Sequence, residues 1–356
     1  MDKKRILIFH PDIYVHRTNN EYTKKMYAIL EKKYEVKSLE WFIKHPFDRA
    51  VDCMYLNWYE NIIGKPSVVA QNFQYMLKYA VLIWAKCRKI KIVYVVHNKT
   101  PHSIDMDSSV FRFAAKPFMN RVLNIADVIV ELCKHTESYL QSAFKVKGLH
   151  DKMVLIPHGR YTKYKCDLAL YRSKYSIKDS ELLFCFVGKM DRYKNVDVII
   201  KAFYMSKVCG KLLLAGKCDE HYKQVILDMV KDENIICDFG YVTDKDMSAI
   251  MQMAHAVVLP YDKTSINSGI MINAFSNGTT VIGTRIEMLF DFDESKVYGY
   301  SYAGKEDHIV ALSKSMERAY NDFTSGRIKI KGCLLEKQIL HENDWNSIES
   351  KMLETI

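Results

Sequence analysis

No apolar run in this chain is long enough to cross a bilayer: YAVLIWA, at 79–85, falls far short of the roughly 20 residues a helical span requires. No leader is read at the start either. MDKKRILIFHPD is basic, but its apolar run ILIF ends at His10-Pro11, so a buried first strand is expected there. No two of the nine cysteines have CxxC spacing, and several, such as Cys185 in LLFCFVG, sit inside apolar strands. That pattern argues against zinc and against a disulfide framework, and for reduced core thiols in a cytosolic protein. Low-complexity tracts and short-period repeats are also lacking.

What is present is a lopsided charge. Residues 1–165 hold 28 Lys and Arg against 15 Asp and Glu, net +13, and the remainder holds 24 against 27, net −3, which together give the chain's +10. The basic half is expected to meet something anionic: lipid head groups, a phosphate-bearing acceptor or nucleic acid. A length of 356 residues suits two domains, each with its own core.

Strand-like runs alternate with amphipathic ones. RILIFH, EVKSLEW, DCMYLNW, KIVYVVHN, DVIVEL and KMVLIPHG read as strands in the first half, and ELLFCFVG, KLLLAG, IICDFG, AVVLPY and TTVIGT in the second. Near-continuous apolar strands separated by helices imply parallel sheets covered on both faces. The irregular basic stretch at 160–178 reads as a linker. The expected fold class is α/β, with two doubly wound Rossmann-like domains facing across a cleft. The first spans 1–165 and the second 166–343, and the helix 344–356 is able to pack back on the first.

Ligands of such sheets lie beyond the carboxyl ends of the strands. Candidate residues are therefore His10 with Asp12 and His16, Asn57-Trp58 with Glu60, His97 with His102, His158-Gly159, Gly188-Lys189, Gly216 and Gly240-Tyr241. FVGKMDRYKNVDVIIKAF is the sharpest of these stretches. A strand ends at Gly188, and Lys189, Arg192 and Lys194 follow before an amphipathic helix opens. Glycine admits a ligand close to the backbone, and cations there neutralise a diphosphate. A solvated basic loop is the alternative reading. In KTSINSGIMINAFSNG, Ser268 and Gly269 open a second helix, whose free N–H groups and dipole suit an anion. A plain helix cap is the alternative there. The stretches QNFQYMLKYAVLIWAKCRKIK and VFRFAAKPFMNRVLN mix aromatics with cations and suit an anionic membrane surface, or else are covering helices with snorkelling lysines.

Residues 183–284 resemble the GT-B glycosyltransferases, particularly glycosyltransferase family 4. The similarity runs through FVGKMDRYKNVDVIIKAF, LLLAG, IICDFGYVTDKDMSAIMQMAHAVVLPY and FSNGTTVIGT. The resemblance implies that Lys189 and Lys194 hold the diphosphate of a nucleotide sugar and that His97 contacts the donor sugar. It places Gly188, Arg192, Gly216, Gly240, Tyr241, Ser268 and Gly269 around the donor. The paired glutamates of that family fall at Ser265 and Asn273, neither of which is charged. Asn273 is left to hydrogen-bond a ribose hydroxyl.

The implied activity is transfer of a sugar, UDP-linked before GDP-linked, to a glycan or polyprenyl-linked acceptor in cell-surface polysaccharide synthesis. It needs no further cofactor and no metal, since no DxD pair ends a strand and the lysines and helix start neutralise the leaving group. Asp12, His10 or Glu60 would serve as base if the reaction inverts. The expected location is cytoplasmic, at the inner face of the membrane, with no nucleic acid expected as partner. A sugar-nucleotide epimerase or phosphorylase, and a non-catalytic membrane- or nucleic-acid-binding scaffold on the same fold, stay open.

Overall fold

The computed structural model describes residues 5–11, 20–62, 67–101, 104, 106–261 and 265–356. The candidates Asp12, His16 and His102 lie outside them. The chain divides into two compact units. The first comprises Met1–Gly159, Thr264–Asn267 and Trp345–Ile356; the second comprises Arg160–Lys263 and Ser268–Asp344.

In the first unit, β1 (Ile6–His10), β2 (Glu35–Ser38), β3 (Val51–Asn57), β4 (Lys91–Val96), β5 (Val128–Glu131) and β6 (Met153–Leu155) form one sheet ordered β2-β1-β3-β4-β5-β6. Every pairing in it is parallel. Leu7, Phe9, Tyr55, Val93, Val95 and Val130 are buried in its core. Ile348 and Met352, four residues apart on the helix Trp345–Glu354, join the same core, which fixes that terminal helix to this unit. EVKSLEW, expected as one strand, is two elements. Ser38 ends β2, and its side chain accepts from Trp41 N to cap the helix Leu39–Lys44.

In the second unit, β7 (Leu183–Val187), β8 (Lys211–Ala215), β9 (Ile235–Asp238), β10 (Ala256–Leu259), β11 (Thr280–Thr284) and β12 (Tyr298–Tyr300) give the order β12-β11-β10-β7-β8-β9, again all parallel. Read from β9, this is the Rossmann order 3-2-1-4-5-6. The stretch expected as a linker holds a helix, Leu168–Lys174, whose N-cap Asp167 accepts from Leu170 N. Arg172 anchors it by donating to the carbonyl of Met253 at 3.1 Å.

Candidate functional site

The strand order of the second unit reverses between β7 and β10, and such a reversal opens a crevice at the carboxyl ends of the two strands. β7 delivers Gly188 to that point. β10 leads towards the helix Gly269–Ser276.

Gly188 has φ 121° and Gly216, after β8, has φ 149°. Side chains rarely adopt either conformation. The two turns also touch: a Cβ on Gly216 would stand 1.9 Å from the Gly188 carbonyl oxygen. Gly188 N–H donates to Ala215 O at 2.9 Å and Met190 N–H to Lys217 O at 2.7 Å, so the ladder continues past the strands and holds the glycines in place. Gly240 N–H reaches Gly216 O at 3.2 Å, but a Cβ on Gly240 would meet nothing within 4 Å. Tyr241 is exposed, with Lys217 Nζ 5.1 Å above its ring.

The three cations after β7 are not equivalent. Lys189 is exposed and pairs with Asp191 at 2.8 Å. Arg192 lays its guanidinium over the Tyr222 ring at 5.4 Å. Lys194 turns inward: a Cβ built on Gly188 would lie 4.0 Å from its Nζ and 3.8 Å from Ile270 Cδ1. The short helical turn Arg192–Lys194 ends at Asn195, in the left-handed region at φ 53°. Asn195 Nδ2 donates to Pro260 O at 2.9 Å, which ties this turn to the end of β10. Burial pulls the Lys194 ammonium down to about 8, with Lys189 lowering it further and Asp191 acting against both. Lys194 makes no ion pair among the described residues.

Ser268 is buried and caps the helix Gly269–Ser276. Its Oγ accepts from Met271 N at 3.2 Å and donates to Tyr261 Oη at 3.3 Å, and its own N–H meets Met288 Sδ at 3.4 Å. The serine is therefore occupied. The N–H groups of Gly269 and Ile270 have no partner among the described residues. Lys194 Nζ and the Ile270 side chain thus both stand close to Gly188, and Ile270 lies in the first turn of a helix whose first two N–H groups have no partner among the described residues. An ammonium and a helix start have the chemistry that suits an anion. Tyr261, which orients Ser268, was not among the sequence candidates, although its position straight after AVVLP carried the signal.

Asn273 moves away from the expected role. Its Oδ1 accepts from Asn277 Nδ2 at 2.8 Å and its Nδ2 approaches Met247 Sδ at 3.3 Å, so the amide is taken up against the helix Asp244–Met253. Ser265 belongs to the first unit, where it bridges Asn98. Asn273→Glu is expected to destabilise the protein by about 1–3 kcal/mol, because the new carboxylate would face a sulfur and a closed helix pair. It should not tighten nucleotide binding; a lower Kd by calorimetry would contradict this.

In the first unit the order reverses between β1 and β3. Asn57 spans the reversal: its Nδ2 donates to His10 O at 3.2 Å, and its Oδ1 lies 3.0 Å from His97 Nε2. Trp58 has φ 48°, an uncommon conformation for a bulky residue, and its ring stacks on His97 at 3.8 Å. Tyr22 meets His97 edge-on at 6.0 Å and stacks on His158 at 4.3 Å. Burial holds His158 down to about 4, so it is neutral near pH 7, with Nδ1 2.9 Å from Gly159 O. Together these rings form a flat-faced cluster beside an imidazole. Tyr22 carried no signal in the sequence.

Glu60 does not belong to this cluster. It is 1% exposed, and its Oε2 accepts from Tyr94 Oη at 2.8 Å while Oε1 has no partner. Burial raises its pKa, which favours the protonated acid. The candidate base is therefore sealed in the core. His10 packs its ring edge-on to Tyr59 at 5.6 Å.

Two such sheets define the class of the fold, which is that of the GT-B glycosyltransferases. The chain superimposes on a sucrose-phosphate synthase of Thermosynechococcus elongatus with a TM-score of 0.73, 15% identity, and 99% of this chain and 98% of the other covered. It superimposes on Anabaena HepE in complex with UDP and glucose with a TM-score of 0.68, 11% identity and 99% of each chain covered. In sequence, residues 169–324 match the family model described as Glycosyl transferases group 1. An N-acetyl-alpha-D-glucosaminyl L-malate synthase of Bacillus anthracis is 25% identical over 162 residues, 43% of this chain. That match spans only 42% of the relative's length.

Proposed function

We propose that the protein is a glycosyltransferase of the family 4 kind that takes its sugar from a nucleotide diphosphate, UDP before GDP. The observation that carries this reading is that Lys194 Nζ and the Ile270 side chain, from the first turn of the helix Gly269–Ser276, both stand close to Gly188 at the strand-order reversal of the second unit. A diphosphate seated there would have its charge met by one ammonium, one helix dipole and two donors. These groups strengthen as charge gathers on the leaving phosphate, so they lower the barrier to C–O cleavage at the anomeric carbon. Lys189 can swing from Asp191 to the outer phosphate oxygens, and Arg192 and Tyr241 border the nucleotide. No metal enters this reading.

The matched model and the sugar-nucleotide chemistry named for HepE support the donor class. On the first unit the half-buried Trp58, held by stacking on the buried His97, is the aromatic face that supports a sugar ligand there; His97 itself keeps the donor-sugar role the family resemblance implies. We assign the acceptor to a glycan or polyprenyl-linked precursor of cell-surface polysaccharide, met at the cytoplasmic face of the membrane.

Thermal shift against UDP-, GDP- and deoxythymidine-linked sugars tests the donor. A ligand at about 100 times its Kd stabilises by about 2.7 kcal/mol, a displacement of a few degrees for a chain of this size. UDP-sugars should give the largest shift. No response to any nucleotide would return the scaffold reading.

A further inference from the structure

The helix Val68–Cys87 is amphipathic the wrong way round. Its inner face buries Gln71 and Tyr75 beside Leu82 and Ala85. Lys78 also points inward and donates to Tyr59 O at 2.7 Å and Asn61 O at 2.6 Å. Its outer face carries Val69, Phe73, Met76, Leu77, Ile83 and Trp84, each between 37% and 79% exposed. These positions recur at helical spacing and make one stripe along 20 residues, about 30 Å of helix. The stripe widens at both sides. Phe113 is 62% exposed on the neighbouring turn Phe111–Ala115, where Asn72 Nδ2 donates to the Phe113 carbonyl at 3.4 Å. Phe47 is 75% exposed and sits edge-on to Trp84 at 5.4 Å. An apolar surface this continuous marks a contact with something apolar.

Charge selects what that is. The helix Val68–Cys87 and residues 111–125 contain no Asp or Glu; of their cations Lys78 points inward and Lys86 pairs with Asp127 at 2.5 Å, which leaves Arg112, Lys116 and Arg121. All three are exposed; Arg112 precedes Phe113 in sequence, and Arg121 lies over the ring of Tyr79 on the helix at 5.8 Å. A second copy seated face to face would bring these cations against their equivalents. Anionic head groups would instead neutralise them while the stripe enters the acyl boundary. We infer that this face is a monotopic docking surface for a bilayer containing anionic lipid, with the helix Val68–Cys87 lying in the plane of the interface.

The inference deepens only the membrane part of the proposed function. Its assay contains no nucleotide sugar, so its failure and that of the donor reading are separable. The full chain is co-sedimented with vesicles of phosphatidylcholine alone and with about 30 mol% phosphatidylglycerol. Retention is expected on the anionic vesicles and should weaken as salt rises. The triple substitution Phe73→Gln, Met76→Gln, Leu77→Gln changes exposed positions only and should cut partitioning about 100-fold. Arg112→Gln with Lys116→Gln should cut it about tenfold and flatten the salt dependence; this pair decides the matter if the triple variant folds poorly. Equal retention of both variants, or no retention on anionic vesicles, overturns the inference. So does a wild-type dimer, by light scattering, that the triple substitution dissolves.

Discussion

Lys194→Met is expected to lower kcat/KM for the nucleotide-sugar donor by about 10- to 150-fold and, in the same protein, to raise the melting temperature without ligand. The two effects share one cause. The Lys194 ammonium stands beside Gly188 and near the Ile270 side chain and makes no ion pair among the described residues, although Asp191 acts on it from a distance. A charged hydrogen bond to phosphate contributes about 1.5–3 kcal/mol, which sets the kinetic range. In the free protein the same charge is a liability, because burial pulls its pKa down to about 8 from an ordinary value near 10.4. Between those values the unfolded chain holds a proton that the native state has lost, so stability rises with pH across that window. Below about 8 the penalty is fully present, and methionine removes it. Donor affinity runs the opposite way. It should fall as pH rises through about 8 in the wild type, and this titration should be absent from the variant. Urea unfolding and donor kinetics from pH 7 to 10 give both readings. A folded variant with unchanged kcat/KM would take Lys194 out of the site.

The strands were legible because parallel strands buried on both faces are written as short apolar runs. LLFCFV, KLLLA and AVVL became β7, β8 and β10 with ends shifted by little. β12, Tyr298–Tyr300, went unread: YGY is three residues long and gains its place only by pairing with β11. The helix Leu168–Lys174 was taken for linker because it has no buried residue and hence no apolar period. EVKSLEW misled because Ser38 serves both as strand end and as helix cap. At the candidate site, the rule that ligands gather beyond strand ends pointed to Gly188 and Gly216, which directly follow β7 and β8, while Ser268 caps the helix Gly269–Ser276. It could not rank Lys189, Arg192 and Lys194, since which amine turns inward depends on Asn195 reaching Pro260, a contact between residues far apart in sequence. Glu60 and Asn273 show the same limit. Both are polar residues near strand ends or helix starts, and both spend their polarity inside the core, on Tyr94 and on Asn277 with Met247.

Gly216→Ala is expected to be the most damaging single methyl group in the second unit, at about 3–5 kcal/mol. Two independent costs add. The backbone at φ 149° lies where a residue with a Cβ is strained by about 1–3 kcal/mol. The methyl would also stand 1.9 Å from the Gly188 carbonyl oxygen, which is backbone and has no rotamer to escape into. Relief requires the turn after β7 to part from the turn after β8, breaking Gly188 N–H to Ala215 O and Met190 N–H to Lys217 O. Gly188 then leaves Lys194 and Ile270, so any protein that still folds in the cold should bind donor poorly. Gly240→Ala is the control. That residue ends the adjacent strand of the same sheet, yet its methyl would meet nothing within 4 Å. It should change stability by less than about 0.5 kcal/mol and leave binding intact. Urea midpoints for the two variants, with UDP-sugar binding on whatever remains folded, separate a built phosphate turn from an ordinary strand end. Equal effects at the two glycines would show that the contact between the turns after β7 and β8 does not hold the site.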